Sequence, residues 1–453
     1  MDRTLAVDCQ GKIGQQVLLQ GWVDSRRDHG GLIFIDLRDR SGIIQVVCNK
    51  QAKELRPEYV VEIEGEVKKR LSNLINPKIK TGKIEIKAQK LTILNQAQTL
   101  PFPIDTDGRE IEEELRLKYR YLDLRRSRLQ KNIKLRSKLV EAARQYLFKN
   151  DFIEIETPLL TKSTPEGSRD FIVPSRLQPG KFYALPQSPQ QYKQLLMVAN
   201  FERYFQIAKC LRDEDLRADR AFEHTQIDLE MSFVKRKDVM EMVEGLAIYV
   251  FEKMGAKILK KPFPIFSYQE AIKKFKSDKF DLRSEKEKKE NVFAFAWVVD
   301  FPFFEKTPEG EWTYTHNPFS DPVPEHKEKF LKGQIEGVLT NQYDLVANGV
   351  EAAGGSIRSN KAQILSRVFE ILGHKKDEIE KKFGHMLDAF RFGAPPHGGI
   401  ACGIDRWVML LTDEKDIREV VAFPMTSSGR TAVMDAPSEV DRKTLKELTL
   451  KEL

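Results

Sequence analysis

The stretch Cys210–Met231, CLRDEDLRADRAFEHTQIDLEM, constrains the fold more than any other. RYFQIAKCLRDE leads into it and alternates as a strand, and HTQIDLEMSF leads out and alternates too. Gln226, Asp228 and Glu230 then share one face, with Ile227, Leu229 and Met231 on the other. Arg212 and Glu214 lie two apart, which puts them on one side of the first strand. The intervening LRADRAFE is too long for a tight hairpin turn. The segment therefore predicts two paired strands with a charged loop at the tip. Arg212 and several carboxylates stand over one surface, and the loop offers Arg217 and Arg220. Such a set of guanidiniums suits a polyphosphate, because arginine binds phosphate oxygens bidentately and keeps its charge.

Ahead of this segment, residues 15–94 hold five short runs: QVLLQGWV, LIFIDLRD, IIQVVCN, YVVEIEGEV and KIEIKAQKLTIL. Each is bounded by Gly, Pro, Asn or Asp, the pattern of a small β-barrel, and an OB-fold is the economical choice. We place this domain at 1–100 and a Pro-rich, charged hinge or linker at 101–130. Residues 131–453 form the remaining domain. A helix is expected over 131–150, where Leu139, Ala143, Tyr146 and Leu147 make one stripe. Strands then dominate, with helices near 235–254, 360–372 and 405–412. The expected class is α+β, an antiparallel sheet flanked by helices behind a barrel. Residues 273–291, KKFKSDKFDLRSEKEKKEN, read as a spacer, a solvated connection or short exposed helix.

Composition narrows the setting. The chain has 453 residues, 32% of them charged, and a net charge of +7. A mild basic excess is compatible with a polyanionic partner. Cys9, Cys48, Cys210 and Cys402 form no CxxC pair, which argues against a zinc site or a disulfide framework and for reduced thiols. The N-terminal MDRTLAVDCQ lacks the apolar core of a signal peptide, and no apolar run is long enough for a bilayer. A cytoplasmic protein with no membrane partner is expected.

A second local argument concerns YDLVANGVEAAGGSIR. Asn348-Gly349 is a two-residue hairpin signal, so Ala347 should pair with Val350 and Val346 with Glu351. Asp344 shares the face of Val346, which makes Asp344 and Glu351 diagonal neighbours. Two carboxylates that close want a cation between them, and Mg²⁺ on nucleotide phosphates is the natural occupant.

These features resemble a known family. RDEDLRADR followed by an acidic strand resembles motif 2 of class II aminoacyl-tRNA synthetases, with Leu211 where Phe is usual. FIEIETPLL, ending at Pro158, resembles motif 1, and GGIACGIDRWVMLL resembles motif 3. TPEGSRDF, FYALPQSPQQYKQLLM, GGSIR and FGAPPHGGIACGIDR narrow the resemblance to the bacterial-type aspartyl-tRNA synthetases, over nearly the whole chain. It implies an aminoacyl-tRNA ligase using ATP, Mg²⁺, L-aspartate and tRNA-Asp. It also implies a homodimer formed through the region around Pro158.

The resemblance assigns roles residue by residue. Arg212 and Arg406 would be the catalytic pair, Arg212 bridging the substrate carboxylate and the α-phosphate and Arg406 meeting the other end of the nucleotide. Aspartate would meet Glu166, Ser188, Gln190, Lys193, Arg212, Asp228, His316 and Arg358, with Lys193 and Arg358 on its side-chain carboxylate. ATP would meet Arg212, Asp213, Glu214, Arg220, Glu351, Gly403, Ile404, Asp405 and Arg406. Asp344 and Glu351 would hold the metal. Arg27, His29, Phe34 and Gln45 would contact the anticodon.

Some positions depart from the family. The large insertion usual between PIFSYQEAI and FAFAWVVDFP is replaced by the spacer. Ala221 and His224 stand where Gln and an adenine-stacking Phe are frequent, and Asn317 follows His316 where a second His is common. His29-Gly30-Gly31 resembles the barrel loop of relatives that also charge tRNA-Asn, which leaves that second substrate open. Two alternatives also stay open: an asparaginyl- or other class IIb synthetase, and a non-catalytic tRNA-binding paralogue.

Overall fold

The computed structural model describes residues 1–450 other than Pro165, in the TPEGSRDF motif, and Asn291, the last residue of the spacer. Two compact units result, Met1–Pro103 and the chain from Ile104 onward.

In the first unit all five expected strands form: Gln16–His29, Leu32–Asp39, Gly42–Cys48, Val60–Lys69 and Ile84–Asn95. The first pairs with the second and fourth, and the third runs parallel to the fifth, which closes a barrel. Alternation sends Val17, Leu19, Ile33, Ile35, Leu37, Ile44 and Val46 into its core. Phe34, between two core isoleucines, consequently faces outward and is only half-buried.

An eight-stranded sheet organises the second unit. Its order is Ile265–Ser267, Phe295–Val299, Gln342–Ala347, Val350–Ile357, His397–Gly403, Glu223–Ser232, Arg203–Leu211 and Ile153–Glu154. The interior pairings are antiparallel, as expected, but the outermost pairing at each edge is parallel. One face packs on the helices Ser127–Lys149, Arg236–Lys253 and Ile404–Thr412. There Leu139, Ala143 and Leu147 meet Ile227, Leu229, Val243 and Trp407. That apolar layer leaves the opposite face of the central strands to polar side chains. The helices Ala362–Ile371 and Lys376–Arg391 form a separate pair, with Phe369 and Phe383 stacked at 3.8 Å; the second of them was not anticipated.

Two segments differ from their readings as a charged linker and a spacer. Within 101–130, residues Glu113–Lys118 and Arg120–Asp123 are helical. The buried Arg120 donates to the carbonyls of Arg418, Val421 and Ala422 at 2.6–3.0 Å and to Asp123 at 2.8 Å. Its neighbour Arg116 pairs with Glu419 at 2.7 Å. Arginine stems and a shared set of acids bury this charged stretch within the larger unit, where composition alone suggests solvent. The spacer carries a short exposed helix, Glu285–Lys289, as expected, but also a buried Phe280 packed with Ala296, Val298 and Val346. A third difference is smaller: the strand ahead of the charged loop stops at Leu211, so Arg212 and Glu214 belong to the loop.

Candidate active site

The polar face of the sheet opens into a cleft of about 280 Å³. Lys193, Arg212, Arg358 and Arg406 all line it, with Glu166, Ser188, Gln190, Asp228, His316, Asp344 and Glu351. Alternation along Glu223–Ser232 explains the acids, since Ile227 and Leu229 turn to the helices and Gln226 and Asp228 to the cleft.

At one end two buried cations meet buried acids. The Lys193 ammonium lies 2.7 Å from Asp228 Oδ1 and 3.1 Å from Glu230 Oε2. Arg358 Nε donates to Glu230 Oε1 at 3.2 Å, and its Nη1 donates to Ser356 at 2.8 Å. Burial opposes ionisation of Glu230, but Arg358 and Lys193 outweigh it and hold its carboxyl below the usual range. Burial wins at Asp228, whose proton affinity is raised in spite of Lys193. A Cβ on Gly399 would sit 2.1 Å from Glu230 Oε2, so only glycine leaves room for that carboxylate. Gln194 links Lys193's helix to His397 at 3.0 Å.

Glu166 arches over this end. It accepts from Ser188 at 3.0 Å and from Gln191 at 3.0 Å. Burial raises its proton affinity, partly offset by those donors. In the middle, Arg212 Nε donates to the Gln187 carbonyl at 3.3 Å, and Arg212 N–H donates to the Phe222 carbonyl at 2.7 Å, closing the base of the charged loop. Burial and the charges of Arg212 and Arg406 push the His224 imidazole down to about 3, so it is neutral near pH 7.

The far end is a second charge cluster. Arg220 pairs with Glu214 at 3.1 Å, and Arg406 with Asp219 at 3.3 Å and the Glu351 carbonyl at 3.1 Å. The Asn348-Gly349 hairpin has the expected register, Ala347 with Val350 and Val346 with Glu351. A register shift then leaves Ala352 over, and a Cβ on Gly354 would touch Asp344 at 3.1 Å and Glu351 at 3.4 Å. The two carboxylates converge. Burial and the Glu351 charge raise the proton affinity of Asp344. Burial works the same way on Glu351, but Arg406 and Lys279 hold it ionised. His316 sits 3.8 Å from Asp344 with its ring edge-on to Phe301 at 4.7 Å, and burial lowers its proton affinity.

On the barrel, Gln45 is a junction. It accepts from Arg70 at 3.1 Å and from Arg27 at 3.5 Å, and donates to Glu85 at 3.0 Å. His29 stands edge-on to Phe34 at 5.5 Å.

Comparison with known proteins now decides the family. Residues 112–427 match the family described as tRNA synthetases class II (D, K and N). The chain belongs to this family. Residues 17–94 match the OB-fold nucleic acid binding domain. The chain is 41% identical to the aspartate–tRNA(Asp/Asn) ligase of Caldanaerobacter subterraneus subsp. tengcongensis, with 97% of this chain and 96% of that protein covered. To the aspartate–tRNA ligase of Staphylococcus carnosus it is 39% identical, with 97% of each covered. The first of these alignments spans 570 positions against 453 residues here, so a long segment of the relative has no counterpart in this chain. Among solved structures, the asparaginyl-tRNA synthetase of Pyrococcus horikoshii superposes with TM-score 0.74 at 24% identity, covering 94% of this chain and 98% of that one. The aspartyl-tRNA synthetase of Entamoeba histolytica gives TM-score 0.74 at 20% identity, covering 94% and 91%.

Of the expected nucleotide contacts, Gly403 and Asp405 line the cleft, whereas Ile404 and Asp213 do not. Ile404 is buried in the helix-side core, so its side chain does not reach the cleft. Asp405 is engaged on both oxygens, by Arg136 and by the Thr225 N–H, which suits a residue that fixes motif 3 in place. Asp213 pairs with Arg169 at 3.3 Å rather than lining the cleft. A Cβ on Gly403 would meet only the Arg406 stem, at 3.8 Å, so the protein itself does not demand glycine there. Sequence reasoning missed Glu230, Asp219 and Lys279. The alternation that turned Asp228 to the cleft puts Glu230 on the same strand face.

Proposed function

We propose that the chain is an aspartate–tRNA ligase, cytoplasmic and homodimeric, that activates L-aspartate with ATP and passes it to tRNA-Asp and also to tRNA-Asn. The observation that carries this reading is the pair of buried cations, Lys193 and Arg358, held over Glu230. With Asp228 turned to the substrate ammonium, two positive charges face Glu230 alone, and one unit is left over. A side-chain carboxylate fills that vacancy, whereas the amide of asparagine leaves it uncompensated. This disfavours the asparaginyl alternative. The cleft arginines disfavour a non-catalytic paralogue.

In the first step an aspartate α-carboxylate oxygen attacks the α-phosphorus of ATP, and the bond to the bridging oxygen of pyrophosphate breaks. Arg212, between the two ends of the cleft, neutralises charge building on the attacking carboxylate and the α-phosphoryl oxygens. Arg220 and Arg406 orient the phosphates, and neutral His224 stacks on the base. In the second step a hydroxyl of the terminal tRNA ribose attacks the aspartyl carbonyl, and AMP leaves. Neither step needs a protein nucleophile, so positioning and charge stabilisation supply the rate.

Asp344 and Glu351 fit a divalent ion. They converge, and among the described residues no group of three or more His, Cys, Asp or Glu exists to hold a metal by protein alone. That suits Mg²⁺, which binds through one or two carboxylates plus substrate phosphates. When bound it would neutralise phosphate charge. The exposed apolar run of Ile153, Leu159 and Leu160 supports a motif 1 dimer face, and the absence of a membrane-crossing helix among the described residues is compatible with a cytoplasmic site of action. Outward Phe34 and the Gln45 junction support base contacts on the barrel. The names carried by several relatives, aspartate–tRNA(Asp/Asn) ligase, favour the second tRNA. Charging of tRNA-Asp and tRNA-Asn transcripts with labelled aspartate tests the whole reading. Product on both supports it, none on tRNA-Asn confines the enzyme to tRNA-Asp, and none on either refutes it.

A further inference from the structure

The spacer brings a lysine to the nucleotide end of the cleft. Phe280 is its anchor, stacked on Phe275 at 4.0 Å and edge-on to Phe266 at 5.3 Å. The Phe280 carbonyl accepts from the Gly349 N–H at 3.1 Å, which ties the segment to the Asn348-Gly349 turn. Val346, on the same sheet face as Asp344, packs in the Phe280 cluster. The residue before this anchor, Lys279, places its ammonium 2.8 Å from Glu351 Oε2. Glu351 lines the cleft, and its other oxygen lies 3.8 Å from Arg406.

This contact is built to be exchanged. The Lys279 side chain is 43% exposed, so its ammonium can swing on a flexible stem. Arg220 and Arg406 show the same pattern, each held by a cleft carboxylate, Glu214 and Asp219. An incoming triphosphate brings more charge than any of these acids.

We propose that Lys279 is a phosphate-binding residue for the β- and γ-phosphates of ATP, acting beside Arg220 and Arg406 and delivered by the shortened spacer. The proposal rests on the ATP-dependent reading above and adds a residue to it. Lys279 lies in a segment that composition reads as a solvated connection, and only its docking on the hairpin reveals it.

Calorimetric titration with ATP and with AMP, both in excess Mg²⁺, tests this on the full chain and on Lys279→Met and Lys279→Arg. Loss of one charge-assisted hydrogen bond predicts about tenfold weaker ATP binding by Lys279→Met, with AMP binding unchanged. Lys279→Arg, which keeps the charge, should recover most of the ATP affinity. Unchanged ATP binding by Lys279→Met overturns the proposal. So do equal losses for ATP and AMP, which mark a general disturbance of the site. A wild-type chain that binds ATP but gives no aspartate-dependent pyrophosphate exchange would refute the ligase reading while leaving the ATP-against-AMP comparison to judge Lys279 by itself.

Discussion

The Lys193 ammonium and the Asp228 carboxylate are 2.7 Å apart at the floor of the cleft, with side chains only 2% and 1% exposed. An ion pair so deep is a poor stability device, since desolvation of both charges offsets most of their attraction. In the proposed reading, its position against Glu230 and Arg358 makes it a recognition device instead. Lys193→Met should raise the KM for aspartate by roughly a hundredfold, the scale of losing a charged hydrogen bond in a dry site, and barely move the KM for ATP. Steady-state pyrophosphate exchange measures both. Parallel losses in the two constants would contradict the assignment.

Arg212 stands between the amino-acid end and the phosphate end. If it neutralises charge that develops during attack, Arg212→Ala should lower the rate of adenylate formation by about 10²–10³, as removal of one oxyanion-type donor does elsewhere. Single-turnover formation of aspartyl-adenylate is the readout, and a rate near wild type would remove Arg212 from the chemistry.

His224 offers a gain-of-function prediction. Burial and two arginines keep its ring neutral, so in the proposed reading it would stack without carrying charge, but its face is smaller than that of phenylalanine. His224→Phe should lower the KM for ATP a few-fold, since aromatic stacking beyond area burial is worth about 0.5–1.5 kcal/mol. An unchanged or higher KM would show that the ring does not meet the base.

Acid stability should report on the 113–128 segment. Burial opposes ionisation of Glu419, but Arg116, with Arg128 and Arg120, outweighs it and holds the carboxyl at about 2, against an ordinary 4.5. A depressed folded value means that this stabilisation is present above pH 4.5 and is lost as pH falls from there toward 2. Its size is on the order of 3 kcal/mol. Glu419→Gln should therefore be less stable than wild type at pH 7 and lose less stability across that acid window in denaturant titrations. Parallel pH profiles for the two proteins would count against the network.

Legibility in the sequence followed the physics of each segment. Period-two alternation announced the barrel strands and the acid-bearing strand, because one face of each is buried and a slip by one residue would reverse every side chain. Asn348-Gly349 fixed its hairpin register for a similarly local reason. The arginine-rich stretch after Pro103 was not legible, because Arg116 is held by Glu419 and Arg120 by the Arg418 carbonyl, some three hundred residues away in sequence. Lys279 was hidden for the same reason: its partner Glu351 lies on a strand far along the chain. Glu230 was legible as a strand face but not as a partner of two cations, since that depends on the approach of Lys193 and Arg358 in space.

The central claim is that one cleft recognises an aspartate carboxylate beside a triphosphate. Pyrophosphate exchange with ATP, run in parallel on aspartate, asparagine, glutamate and lysine, tests it most directly. The arrangement of Lys193, Arg358 and Glu230 predicts exchange with aspartate and only background with the other three. Exchange with asparagine at a comparable rate, or none with aspartate, would contradict it.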